Sequence, residues 1–138
     1  MDLTTQARKL FEQDRYAVGT TGVEIVSVED QHAVCSLLAD NGHRNAAGIV
    51  MGGALFTLAD FACSVAANAA LLAAGETERL WLTLNASINY LRATKGGLLT
   101  ATAHCIKAGR TTCLYTTDIT DENGVLIATI QSTGIRPI

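Results

Sequence analysis

Asp60 is the only charged side chain in the whole stretch from Asn45 to Gly75. It closes the run Met51-Gly52-Gly53-Ala54-Leu55-Phe56-Thr57-Leu58-Ala59-Asp60, near the start of what reads as a long apolar helix. An ionised carboxylate is costly to bury unless it is paired, hydrogen-bonded or in use. Its Leu, Phe, Ala and Gly neighbours offer no cation. Such a carboxylate suits proton abstraction from water or direct attack on an electrophilic carbon; the ordinary alternative is an acid that reaches solvent or caps a structural element. Gly52 and Gly53 stand where the same helix begins. The first amides of a helix lack intrahelical acceptors and lie at the positive end of its dipole. Glycine also lets a ligand approach the backbone closely, although a glycine pair equally serves tight helix–sheet packing.

The elements that must hold these residues follow from periodicity. Ala7, Leu10 and Phe11 at three-and-four spacing predict a short amphipathic helix over about residues 4–15. Strands are expected from Gly22 to Val28 and from His32 to Ala39, and Asp40 to Asn45 is a loop by composition, with Asn41-Gly42 as its turn signal. The Ala-rich apolar run predicts a helix over about 52–74, stopped by Gly75. Leu80, Leu82, Leu84, Ala86, Ile88 and Tyr90 then alternate with Trp81, Thr83, Asn85, Ser87 and Asn89. That period of two predicts a strand with one apolar face and one hydroxyl- and amide-rich face, Thr83 on the latter. Turns at Lys95-Gly96-Gly97, Lys107 to Arg110 and Asp121 to Gly124 divide the remainder into strands 98–106, 111–120 and 125–135, a four-strand antiparallel meander. One long apolar helix needs a sheet curled around it, so the fold class is α+β in a single domain spanning 1–138.

Composition narrows the function. The chain has 138 residues, a net charge of −3 and no basic run, which argues against nucleic-acid binding. Only 5% of residues are aromatic and Ala is abundant, so the core should be built from small side chains in close contact. Cys35, Cys63, Cys105 and Cys113 form no Cys-x-x-Cys pair and no short His/Cys spacing, so no metal site is expected and the thiols read as small hydrophobes. A cysteine nucleophile paired with His104 or His32 has no local signature. The segment 46–74 is apolar enough to cross a bilayer, yet Asp60 and Asn68 within it favour a buried helix over a membrane span. The N-terminus lacks a signal- or transit-peptide profile, which points to a cytoplasmic protein.

Gly42-His43-x-Asn45-x-x-Gly48-x-x-x-Gly52-Gly53-x-x-Phe56-x-Leu58-Ala59-Asp60 closely resembles the loop-and-helix signature of hotdog-fold acyl-CoA thioesterases of the phenylacetate-degradation (PaaI-like) subgroup. Asn89-Tyr90-Leu91-Arg92 with Lys95-Gly96 is similar to that subgroup's third-strand ending, and Lys107-x-Gly109-Arg110 to its next hairpin. The resemblance covers roughly residues 20–135 in the same order and spacing. It implies an antiparallel sheet wrapped around a central helix, a homodimer that often doubles into a dimer of dimers, an acyl-CoA substrate, and neither metal nor bound cofactor.

The resemblance also implies roles for single residues. Gly52 N–H would be the oxyanion donor and Asp60 the general base or nucleophile. Thr83 would orient the acid or its water, and Asn45 would position the water or the thioester. Eight residues at about 1.5 Å rise put Gly52 and Asp60 roughly 12 Å apart on one helix. That is too far to serve one carbonyl from one chain, so two antiparallel helices from two subunits would supply them. Gly53, Met51, His43 and Phe56 would contact substrate, with Leu58 and Phe61 flanking an acyl tunnel. Arg92, Lys95, Lys107 and Arg110 would meet the coenzyme A phosphates, although each also reads as a solvated hairpin charge. Many relatives carry His where this chain has Met51, and methionine cannot donate a hydrogen bond to a carbonyl, which leaves the backbone amide as the main donor. Two other functions fit the resemblance less well: a non-catalytic acyl-CoA-binding protein, and a dehydratase or hydratase using a His–acid pair.

Overall fold

The computed structural model describes residues 1–137. Helix α1 spans Leu3–Phe11, and six strands follow: β1 Glu24–Glu29, β2 His32–Ala39, β3 Leu82–Tyr90, β4 Gly97–Ala108, β5 Thr112–Thr120 and β6 Leu126–Ile135. The central helix α2, Gly52–Ala73, lies between β2 and β3 in sequence. Its C-terminus matches the expected stop: Gly75 adopts φ 79°, its N–H bonds the Leu72 carbonyl at 3.0 Å, and Glu76 N–H bonds that of Leu71 at 2.8 Å. The N-terminal helix is shorter than predicted because Asp14 caps a separate π-helical segment, Arg15–Thr21, by accepting from Tyr16 and Ala17.

The sheet is antiparallel in the spatial order β1-β2-β4-β5-β6-β3. Only β4, β5 and β6 form a meander. The residues Lys95-Gly96-Gly97, expected to make a tight turn between neighbouring strands, instead lead the chain across the sheet, and β3 pairs with β6 at the far edge. The concave face buries Ala33, Leu37, Ala101, Ala103, Ile119 and Ala128 against Leu58, Ala59, Ala62, Val65, Ala66 and Ala69 of α2. Small residues on both sides let helix and sheet approach closely, so the apolarity of α2 is that of a core helix.

The two sheet edges are treated differently. Along β1, helix α1 supplies side-chain partners to the outer backbone: Val28 N–H donates to Thr4 Oγ1 at 3.0 Å, and Arg8 donates to the carbonyls of Ile25 and Val26. A bulge between Ile25 and Ser27 further breaks that edge. Among the described residues no such cover lies on β3, where Leu82 and Leu84 are 58% and 60% exposed. An open strand edge with exposed leucines is a template for pairing with another strand.

Candidate active site

The site is assembled where β3 runs antiparallel beside α2. Tyr90, at the end of β3, reaches the first residue of α2 and donates its hydroxyl to the Gly52 carbonyl at 3.0 Å. Thr83, near the start of β3, donates its hydroxyl to Asp60 Oδ1 at 2.7 Å. The alternation read from sequence does not survive along the whole strand. Thr83 pairs with Gly134 and Asn85 with Thr133, so Leu84 is an extra residue. This bulge exchanges the faces: Ala86 and Ile88 pack on the core beyond it, while Thr83 turns toward the helix before it and Leu82 and Leu84 turn outward. A regular strand would have placed Thr83 on the face away from Asp60.

Met51 is the N-cap of α2, with extended backbone at φ −60°, ψ 135° and no side-chain cap. Its carbonyl accepts from Ala54 N–H at 3.0 Å and Leu55 N–H at 3.2 Å, whereas the N–H groups of Gly52 and Gly53 have no acceptor among the described residues. Those two amides remain free for a ligand at the positive end of the helix. The doubly accepting Met51 carbonyl shares a peptide unit with Gly52 N–H and polarises it. Glycine at position 52 also lets Tyr90 come close, because a Cβ there would stand 3.0 Å from Tyr90 Cζ and 3.1 Å from its hydroxyl and the ring would have to give way. Tyr90 was absent from the residues that spacing alone picked out; its position within the Asn89-Tyr90-Leu91-Arg92 run was the available signal.

The loop before α2 is tied down throughout. Asn45 Oδ1 accepts from Ala47 N–H at 2.9 Å and Ile49 N–H at 3.3 Å, Val50 N–H donates to the Thr94 carbonyl at 2.8 Å, and Met51 N–H to that of His43 at 2.7 Å. With its oxygen committed to the loop, Asn45 keeps only its NH₂ for a ligand. It lines a cleft of about 330 Å³ with Gly52, Leu55, Tyr90 and Arg92. On the other side of the helix N-terminus, Gly53, Met51, His43, Leu38 and Tyr16 border a wider groove of about 680 Å³.

His43 borders that groove with its ring tied into the loop. Its Nε2–H donates to the Thr21 carbonyl at 2.7 Å and its Nδ1 accepts from Asp40 N–H at 3.1 Å, so both nitrogens hold the loop. Phe56 is half-buried against the core. Arg92 and Lys95 are exposed at the Tyr90 end of the sheet, whereas Lys107, near the end of β4, and Arg110, just past it, are exposed at the opposite end. Ten residue steps along β4 from Gly97 to Lys107, at about 3.3 Å each, separate the two pairs by roughly 30 Å, so one chain does not bring all four to one ligand.

The buried Cys35 and Cys63 are poor nucleophiles. Burial pushes the Cys35 thiol up to about 12, and raises Cys63 as well, which shares a hydrogen bond with the Thr117 hydroxyl. His104 is exposed and pairs in register with His32 on β2 and Thr116 on β5.

A six-stranded antiparallel sheet curled around one long helix defines a hotdog fold. Residues 47–128 match the family model described as Thioesterase superfamily. The chain is 33% identical over 114 residues to the 1,4-dihydroxy-2-naphthoyl-CoA hydrolase of Listeria monocytogenes, covering 83% of this chain and 89% of that one. It is 30% identical over 135 residues to the Escherichia coli acyl-coenzyme A thioesterase PaaI, covering 94% and 88%. The solved structure of E. coli PaaI superposes with a TM-score of 0.86 at 25% identity, over 99% of this chain and 97% of that one. A Streptococcus mutans protein solved bound to acetyl CoA superposes with a TM-score of 0.74 at 27% identity, over 83% and 88%. The chain belongs to the thioesterase superfamily, in its PaaI-like subgroup.

Proposed function

We propose that this protein hydrolyses acyl-CoA thioesters to a carboxylic acid and free coenzyme A, at sites shared between two copies of the chain. The observation that carries the reading is the division of the parts along α2 and β3. Gly52 with Tyr90 forms one half-site, and Asp60 with Thr83 forms the other, eight residues away on the helix. β3 is the uncapped sheet edge. Antiparallel pairing of two β3 strands about a two-fold axis sets the Tyr90 end of one copy beside the Thr83 end of the other. The same pairing covers Leu82 and Leu84, and sets the Arg92–Lys95 end of one copy beside the Lys107–Arg110 end of the other. The cations that one chain keeps apart then flank a common coenzyme A.

In this arrangement the Gly52 N–H of one subunit polarises the thioester carbonyl and holds the oxyanion. Asp60 of the other accepts a proton from water as the water oxygen attacks the carbonyl carbon, or attacks that carbon itself to give a mixed anhydride that water then opens. Thr83 fixes the carboxylate rotamer in both cases. Either route breaks the C–S bond, consumes one water, and releases the acid and the thiol. No metal or bound cofactor enters.

The test is thiol release from a panel of short, medium, long and aryl acyl-CoAs by wild type and Asp60→Asn, with mass measured by light scattering. Hydrolysis by a dimer or tetramer and loss of about three orders of magnitude in the variant is the expected result, the scale of removing a catalytic base or nucleophile. Full activity of Asp60→Asn, or of a stable monomer, would sink this geometry. Stabilisation by acyl-CoA without turnover would make the protein a binder.

A further inference from the structure

We infer that Asn68, buried two turns beyond Asp60 on α2, is a positioning residue that sets the catalytic carboxylate's partner by anchoring the entry of β3; the inference rests on the reading of Asp60 given above. Asn68 is 1% exposed, a polar side chain inside the apolar core. Its Oδ1 accepts from Trp81 N–H at 2.7 Å, and its Nδ2 donates to the Trp81 carbonyl at 3.2 Å and to the Ser64 carbonyl at 2.9 Å. A single side chain thus holds both polar groups of residue 81, one residue before β3 begins and two before Thr83. Trp81 is partly buried against the core and lines a small cavity with Cys63, Ser64 and Ala67 of α2.

On the near side of the bulge the ladder holds Thr83 on the helix side through only two pairs, Leu82 with Ile135 and Thr83 with Gly134. The bulge at Leu84 interrupts the pairing with β6 immediately after Thr83. A bulged strand end held only by the ladder could slip, and a slip of one residue reverses its faces. Asn68–Trp81, Asp60–Thr83 and Gly52–Tyr90 are three successive ties between α2 and β3, and the first fixes the register of the second. Asn68 lies eight residues, roughly 12 Å, along α2 from Asp60, so its effect should fall on turnover rather than on binding.

The experiment uses Asn68→Ser and Asn68→Ala in the full chain, each also combined with Thr83→Ala. Serine can bond its own helix carbonyl four residues back but is too short to reach Trp81, so Asn68→Ser isolates the lost anchor should Asn68→Ala fail to fold. Trp81 is the only tryptophan, and its emission reports the anchor directly. The expected result is native far-UV dichroism, altered Trp81 emission, and kcat lowered roughly ten- to hundred-fold with KM within about threefold, the scale of an ångström-level misplacement. Added to Thr83→Ala, the Asn68 change should lower kcat little further, because both act on one interaction. Wild-type kcat in a folded Asn68 variant, or losses that multiply with Thr83→Ala, would overturn the inference. Rapid hydrogen exchange of the Trp81 amide in the wild type would overturn it as well. Activity retained in Asp60→Asn would instead overturn the reading on which it rests.

Discussion

Proline at position 52 separates the chemistry of the helix N-terminus from its architecture. Gly52 is the first helical residue of α2, and its N–H has no acceptor among the described residues. Proline is favoured at this position, since the hydrogen it lacks is unused by the helix. The residue before a proline must be extended, and Met51 already is, at φ −60°, ψ 135°. Gly52→Pro therefore removes the proposed oxyanion donor and leaves every helix hydrogen bond in place. The new Cβ would press on Tyr90, which stands 3.0 Å from that point, so Gly52→Ala is the control: it adds the same Cβ and keeps the N–H. Tyr90 is half-exposed and its ring can rotate aside at the loss of one hydrogen bond, about 1 kcal/mol, which the gain over glycine in a helix nearly offsets. Both variants should melt close to wild type. Loss of one oxyanion donor costs about 10²–10³ in kcat, or 2.7–4 kcal/mol, so kcat of Gly52→Pro should lie that far below Gly52→Ala on the best acyl-CoA of the panel. Equal kcat in the two variants would refute the assignment of the Gly52 amide.

Three further outcomes follow from the same geometry. Thr83→Ala removes a 2.7 Å hydrogen bond to a half-exposed carboxylate; kcat should fall about tenfold, equivalent to roughly 1.4 kcal/mol, and an unchanged kcat would show that Asp60 needs no orienting partner. Thr4→Ala with Arg8→Ala uncovers the β1 backbone at Ile25, Val26 and Val28; light scattering should then show association beyond the wild-type oligomer as concentration rises, and an unchanged mass at every concentration would mean that α1 does not guard this edge. Stability should decline in alkali: the Cys35 thiol ionises near 9.0 when unfolded and near 12 when buried, so the unfolded chain loses its proton first as pH rises above 9. At pH 10 this removes about 1.4 kcal/mol, urea midpoints should show it, and a flat profile between pH 8 and 10.5 would contradict the burial of that thiol.

Much of this was legible because the governing patterns are local. The helix at 52–74 ends one residue from its expected stop, since a left-handed glycine and an apolar run are properties of the segment itself. Asp60 stood out because a carboxylate amid alanines contradicts its surroundings. The position of β3 was not legible: nothing in Leu80 to Gly97 distinguishes a strand that turns back on its successor from one that crosses to the far edge. The bulge at Leu84 was equally hidden, because the sequence keeps perfect alternation through it. Asn68 read as a polar cost inside an apolar helix; its partners are the backbone of a residue thirteen positions on, which carry no side-chain signature. The four cations share hairpin ends in sequence, but alternate hairpins of an antiparallel sheet lie at opposite ends.

These hidden features are connected. A third strand paired with both of its neighbours in sequence would offer no edge of its own. Crossing to the outside of β6 leaves its second edge bare, while Thr4 and Arg8 cover the corresponding backbone of β1. The bulge then lets one short strand serve two surfaces. Beyond it, Ala86 and Ile88 close the core; before it, Thr83 meets Asp60 and the displaced Leu82 and Leu84 face outward. Because Tyr90 and Thr83 sit at opposite ends of that strand, the antiparallel pairing proposed above would exchange them, and each half-site would meet its complement. Association and catalysis then draw on the same nine residues of β3. On this reading, a charge introduced at Leu84 should abolish association and turnover together while leaving the folded chain intact.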